Sequence, residues 1–194
     1  MTEIGVIHAR FQVLHLKQME YILAAKMRCK KLYIGISHPD IMNFAGKSKM
    51  DVHGVTRRDN PMTYIERYQM LLNALDEFGV KREEYEIIPF PISEPEILLQ
   101  YVPVEGIFYL SLMTSWDEER LQILKNLGLE TEVIWERDER EMGVSGTAIL
   151  CMIAEGNDDW KFAVPKSVSE FLTYRGIDER IREINLNFRE PTVE

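Results

Sequence analysis

Cysteine is scarce in this sequence: Cys29 and Cys151 are the only two, far apart and without metal-ligand spacing. That excludes a disulfide-built scaffold and a thiolate zinc site, and it fits reduced thiols in a cytoplasmic protein. Positive charge is also short, with 23 Lys and Arg against 32 Asp and Glu and a formal net charge of −9. Long nucleic acid is thereby excluded as a partner, because neutralising its phosphates takes clustered cations. A small anion is not excluded, since a local cation cluster outweighs the global field at short range. No apolar run reaches the ~20 residues that cross a bilayer, and no secretory leader precedes the first strand-like segment. Internal repeats and low-complexity tracts are missing as well. What remains is a chain of 194 residues, 45% of them hydrophobic, read as one domain over residues 1–194 with a core of its own.

The apolar pattern alternates along the chain. Ile4–His8 and Lys31–Ser37 read as buried strands. Between them Leu16, Met19, Ile22 and Leu23 fall at helical spacing over Leu16–Arg28. A strand, helix, strand unit of this kind pairs its strands in parallel through a right-handed crossover. The polar stretch His38–Asn60 is long for a connection inside a domain, which marks a functional loop. Thr63 and Glu66 have the spacing of a capping box; the helix they open shows Ile65, Tyr68, Leu72 and Leu75 on one face and ends at Gly79. Glu86–Phe90, Gly106–Leu112 and Glu130–Trp135 read as further strands, with a short helix at Pro95–Tyr101. Longer helices are expected at Asp117–Leu127, Thr147–Glu155, Ser167–Tyr174 and Asp178–Asn187. The alternation predicts an α/β, doubly wound Rossmann-like fold with a parallel sheet of about five strands and a helical C-terminal region.

In open parallel sheets ligands collect beyond the carboxyl ends of the strands. Three such segments carry unusual chemistry: 9–18 after the first strand, 37–67 after the second and 136–150 after the fifth. ARFQVLHLKQ, residues 9–18, places His15 at a strand-to-helix turn; GVSGTAIL, residues 143–150, places Ser145 and Thr147 where a helix starts. Exposed N–H groups and the helix dipole make such a turn an anion site, and simple N-capping by either hydroxyl is the plainer role. A histidine near a helix start is likewise more often a hydrogen-bonded structural residue than a catalytic one. Phe11, Tyr33, Trp116 and Trp135 can stack on a base or pack in the core, with the two tryptophans, which close strands, better placed to stack.

Taken in order, ARFQVLH, NPMTYIER and VSGTAIL resemble the motifs of the HxGH-type nucleotidyltransferase superfamily. The resemblance is closest to its nicotinamide-mononucleotide adenylyltransferase group, archaeal-type members included, and VPKSV at 164–168 resembles that group's next helix. It runs from Ile4 to Tyr174. It implies an enzyme in which a phosphorylated or phosphonate-bearing small molecule attacks the α-phosphorus of ATP or another nucleoside triphosphate. Pyrophosphate leaves, Mg²⁺ assists, and no covalent enzyme intermediate forms. By matched position, His15, Lys17 and Gln18 carry the catalytic roles. Arg10, Phe11, Gln12, Val144, Ser145, Gly146 and Thr147 bind the nucleotide, and Arg57, Arg58, Arg67 and Trp116 bind the acceptor; for the Glu66–Arg67 pair the plainer roles are a helix cap and a brace of the fold. The 38–60 loop and Pro89–Tyr101 are expected to shape the acceptor pocket. Related proteins often form oligomers; no heptad seam in this chain decides for or against a homo-oligomer.

The departures from the motifs are as specific as the matches. Gln18 stands in place of the second histidine, Lys17 in place of a glycine, Val13 in place of a proline and Leu150 in place of the terminal arginine. Glutamine can donate a hydrogen bond but carries no charge. Loss of one preorganised donor costs on the order of 10²–10³ in rate. Two readings result. In one, an enzyme has a remodelled phosphate clamp, with Lys17 and the loop cations Lys47, Lys49, Arg57 and Arg58 compensating. In the other, the chain is a catalytically impaired nucleotide-binding sensor or structural partner on the same fold.

Overall fold

The computed structural model describes residues 1–39, 56–137 and 143–187. Five strands form one all-parallel sheet: β1 (Thr2–Ala9), β2 (Cys29–Ser37), β3 (Tyr85–Phe90), β4 (Ile107–Leu112) and β5 (Thr131–Glu136), in the order β3-β2-β1-β4-β5. The helices are α1 (Leu16–Lys26), α2 (Tyr64–Glu77), α3 (Pro95–Leu98), α4 (Ser115–Asn126), α5 (Gly146–Glu155), α6 (Lys166–Tyr174) and α7 (Ile177–Asn187). The expected α/β Rossmann-like fold is therefore the observed one. Among the described residues no helix is long and apolar enough to cross a membrane.

Successive strand residues serve opposite faces of the sheet, as a period of two requires. Ile7 and Tyr109 pack with Met19, Ile22, Leu71, Leu75 and Ile149 on one face. Their neighbours Val6 and Phe108 pack with Phe90, Leu124 and Leu129 on the other. Both faces are covered, which is why these strands read as continuous apolar runs. Gly35 serves a close approach: a β-carbon there would lie 2.5 Å from the Phe90 ring.

The Thr63–Glu66 capping box forms as expected, with both reciprocal hydrogen bonds present. A second box, Thr114–Asp117, opens α4 at Ser115, two residues ahead of the sequence expectation. Trp116 therefore sits in the first turn of a helix, not at the end of a strand. Lys47 and Lys49 of the polar loop lie outside the described residues.

Candidate nucleotide site

The strand order reverses between β1 and β4, and a cavity of about 490 Å³ opens beyond the carboxyl ends of these strands. This is where a doubly wound sheet leaves a crevice, because its helices depart to opposite sides. The residues after β1, the start of α4, the end of β5 and the start of α5 line it.

His15 is the N-cap of α1, and its Nδ1 accepts from the Gln18 N–H at 3.4 Å. With Nδ1 accepting, the ring proton sits on Nε2, so neutral His15 is a donor on that side. Burial pulls its pKa down to about 4, so it stays neutral near pH 7. Gln18 also borders the cavity, and its Oε1 is buried without a hydrogen-bond partner among the described residues. Lys17 extends along the rim, paired with Glu20 at 3.2 Å.

The α5 turn faces this segment. Gly143 adopts φ +65°, a conformation that favours glycine. Ser145 caps α5, its Oγ accepting from the Ala148 N–H at 3.2 Å, which leaves the hydroxyl hydrogen free to donate. A β-carbon on Gly146 would lie 3.1 Å from the Gln12 carbonyl oxygen, so glycine lets the start of α5 close against the turn after β1. Ser145, Gly146 and Thr147 all border the cavity. Helix-start N–H groups and two hydroxyls thus converge where an oxyanion would be stabilised.

The opposite wall is aromatic and charged. Arg137 lies over Trp135 at 4.0 Å, and Arg120 lies over Trp116 at 5.9 Å. Asp117 is buried, accepting from Met113 N–H, Thr114 N–H and the Thr114 hydroxyl, and it pairs with Arg120. His8 stacks on Phe90 at 4.2 Å and bonds Ser37 Oγ at 3.2 Å. Burial, followed by the charges of Arg120 and His38, holds His8 well below its ordinary pKa.

The structure sorts the residues named from the sequence. His15, Lys17, Gln18, Arg10, Gln12, Ser145, Gly146, Thr147 and Trp116 line the one cavity. Phe11 borders it too, but its side chain is fully buried in the core and offers no face for stacking. Gln12 spends its amide on the Met62 backbone. Arg67 is fully buried and donates to the carbonyls of Arg10, Ser37, His38 and Thr63, which braces the strand ends. Burial and the nearby Arg10 charge lower its pKa to about 10. Its neighbour Glu66 pairs with Arg180 at 2.7 Å, so the Glu–Arg pair of the middle motif serves the scaffold. Arg57, Arg67 and Val144 do not border the cavity. Arg58 lines a smaller one of about 220 Å³ with Asp59, Leu150, Cys151 and Asn185, and Thr147 borders both. Pro89–Tyr101 borders neither of these two cavities. His8, Glu20, Arg120 and Arg137 were not singled out by the sequence; only the Lys17–Glu20 spacing of three hinted at one of them.

A resident divalent cation does not fit these side chains. Among the described residues no three His, Cys, Asp or Glu come together to hold a metal ion, and the one carboxylate lining the cavity, Asp117, is saturated by its own loop. A divalent ion would arrive on the triphosphate, as part of the substrate.

The chain matches no protein-family model. It is 41% identical over 178 residues to phosphonoformate cytidylyltransferase from Streptomyces viridochromogenes, covering 92% of this chain and 95% of that protein. It is 30% identical over 192 residues to nicotinamide-nucleotide adenylyltransferase from Thermococcus onnurineus, covering 96% and 91%. Among solved structures, a bifunctional NMN adenylyltransferase/ADP ribose pyrophosphatase from Francisella tularensis, complexed with AMP and a manganese ion, aligns with a TM-score of 0.62 at 15% identity. That alignment covers 96% of this chain and 54% of the bifunctional protein, so the chain spans about half its length, and the likeness bears on the fold alone. With the ordered motifs, the switch-point cavity and two relatives matched nearly end to end, this chain belongs to the HxGH-type nucleotidyltransferase superfamily, in the group that holds phosphonoformate cytidylyltransferase and the archaeal nicotinamide-nucleotide adenylyltransferases.

Proposed function

We propose that the chain transfers a cytidylyl group from CTP to a small phosphonate, releasing pyrophosphate. The observation that carries this reading is the 41% identity to a phosphonoformate cytidylyltransferase across 92% of the chain, against 30% to an adenylyltransferase. Among the donors the motifs allow, ATP or another nucleoside triphosphate, that margin favours CTP. In the reaction an acceptor oxygen attacks the α-phosphorus, the bond from that phosphorus to the α,β-bridging oxygen breaks, and its electron pair leaves with pyrophosphate. The enzyme forms no bond itself; it places charge and donors where negative charge gathers on the phosphoryl oxygens.

The cavity supplies those groups from this chain's own residues. Ser145, Thr147 and the first N–H groups of α5 hold the terminal phosphates. Neutral His15 donates a hydrogen bond to a phosphoryl oxygen and orders the start of α1. Trp116 gives the base an aromatic wall. The smaller cavity, with Arg58 in its lining and Thr147 shared, suits a small oxoanion acceptor better than a nucleotide. A divalent cation such as Mg²⁺ accompanies the triphosphate, since among the described residues no side-chain set holds one.

The test is pyrophosphate release from CTP and from ATP, each with phosphonoformate and with nicotinamide mononucleotide. Fast release from CTP with phosphonoformate is expected. Release only from ATP with the mononucleotide would move the chain to the adenylyltransferase side of its group. Triphosphate binding with no release on either acceptor would replace the reading with a nucleotide-binding sensor.

A further inference from the structure

We propose that Lys17 and Arg137, tied together by Glu20, form a two-cation clamp for the triphosphate that takes over from the missing second histidine and terminal arginine; this rests on the nucleotidyl-transfer reading above. Glu20 Oε1 accepts from Arg137 Nη2 at 2.8 Å, and Oε2 accepts from Arg137 Nη1 at 3.3 Å and Lys17 Nζ at 3.2 Å. One carboxylate thereby links α1 to the residue after β5, 117 positions away. Lys17 and Arg137 both border the cavity that Ser145 and Thr147 border.

The placement of Lys17 is specific. Its Cε and Cγ lie 3.6 and 3.7 Å from where a β-carbon on Gly143 would sit, so its stem runs along the glycine that opens the α5 turn. A lysine that fills the place of a motif glycine thus carries its ammonium to the phosphate end of the cavity. Arg137 is steadied by the Trp135 face beneath it and presents a planar fork suited to phosphate oxygens. Gln18 is neutral and Leu150 borders the smaller cavity, so neither meets this charge.

Glu20 is a positioning residue. Its side chain is 41% exposed and those of Lys17 and Arg137 are 47% and 25% exposed, and ion pairs of this kind bind their members weakly. A triphosphate carries several negative charges and draws both cations inward. After transfer, Glu20 competes for them again as pyrophosphate leaves.

The experiment is calorimetric titration of CTP, ATP, CMP and AMP into wild type, the Lys17→Met/Arg137→Met double variant and Glu20→Gln, with folding checked by circular dichroism. The double variant should lose about 100-fold in triphosphate affinity and about three-fold or less for the monophosphates, the loss of two charge-assisted contacts. Arg137→Lys, which keeps the charge and loses the fork, should fall between. Glu20→Gln should hold or tighten triphosphate binding while lowering kcat. A folded double variant within about two-fold of wild type, or equal losses for mono- and triphosphates, would overturn the clamp, as affinity is then indifferent to the added charge. Should the double variant not fold, the same criteria apply to Arg137→Lys and to Lys17→Met alone. Parallel loss of affinity and kcat in Glu20→Gln would overturn its positioning role. Wild-type triphosphate binding without transfer removes the transferase reading and leaves the clamp standing; a wild type that binds no triphosphate removes both.

Discussion

The side-chain amide of Gln12 grips the backbone of Met62 from both ends: Nε2 donates to the Met62 carbonyl and Oε1 accepts from its N–H, each at 2.9 Å. On its main-chain side the same residue receives the close approach of Gly146. Gln12 therefore joins the β1 turn, the entry to α2 and the start of α5, with one amide N–H and the carbonyl oxygen both engaged by the scaffold. Gln12→Ala should cost roughly 2–4 kcal/mol, because it strands a buried N–H and a buried carbonyl without partners. Urea unfolding reads this as a lowered midpoint at constant slope. A variant as stable as wild type would mean the grip is dispensable.

Thr147→Val and Ser145→Ala separate binding from folding at the α5 turn. The Ser145 hydroxyl caps the helix, so its loss should cost about 1 kcal/mol of stability as well as a phosphate contact. Thr147 makes no such cap, and its replacement should leave stability near wild type. Together the two changes should weaken triphosphate binding by roughly 2–3 kcal/mol, if each hydroxyl donates to an anionic oxygen. Unchanged affinity in a folded double variant would show that the turn does not cradle phosphate.

The two cavity histidines set a direction for pH dependence. Burial depresses His15 from 6.5 to about 4, and His8 is also lowered well below 6.5. The unfolded chain then binds more protons than the folded one below pH 6.5, so the stability these rings confer is complete above that value. It is lost as pH falls toward the folded pKa. For His15 the loss by pH 4 should be on the order of 3 kcal/mol. His15→Asn keeps an N-cap acceptor and removes the titration, so its stability should fall less steeply between pH 6.5 and 4. Identical slopes in the two proteins would rule out His15 as a source of the acid sensitivity.

What could be read from the sequence was local. Thr63 and Glu66 lie three apart, and their box forms as the spacing requires. Thr114 and Asp117 use the same geometry with an aspartate in the third position, which the glutamate or glutamine pattern does not flag, and Trp116 was misplaced as a result. The motif residues Arg10, His15, Ser145 and Thr147 were legible by order, and they do converge on one cavity. Gln12 was not legible in its role, and for Arg67 the bracing of the fold was legible but its partners were not. Each satisfies main-chain groups 29 or more residues away, apart from Arg67's bond to Thr63, and such bonds leave no period in the sequence. Arg137 was hidden for the same reason, its partner Glu20 lying on α1.

Leu150 decides what restoring the family motif would do. It is 6% exposed, packs in the main core and borders the smaller cavity, away from the phosphate end of the larger one. Leu150→Arg would remove an apolar side chain from the core and place a guanidinium beside Arg58 at the smaller cavity, and should cost about 3 kcal/mol. The motif arginine therefore cannot be returned in isolation, and the informative reversal is Lys17→Gly with Gln18→His. On an enzyme with a remodelled site, this change removes the ammonium whose stem runs along Gly143 and should slow single-turnover pyrophosphate release by roughly 10-fold or more. A histidine at 18 would not replace it, since burial of the kind that lowers His15 would keep that ring neutral too. Faster release in the double variant than in wild type would sink the remodelled-clamp reading and favour an impaired scaffold. Slower release in a folded variant is the outcome expected from Lys17 sitting beside the α5 turn.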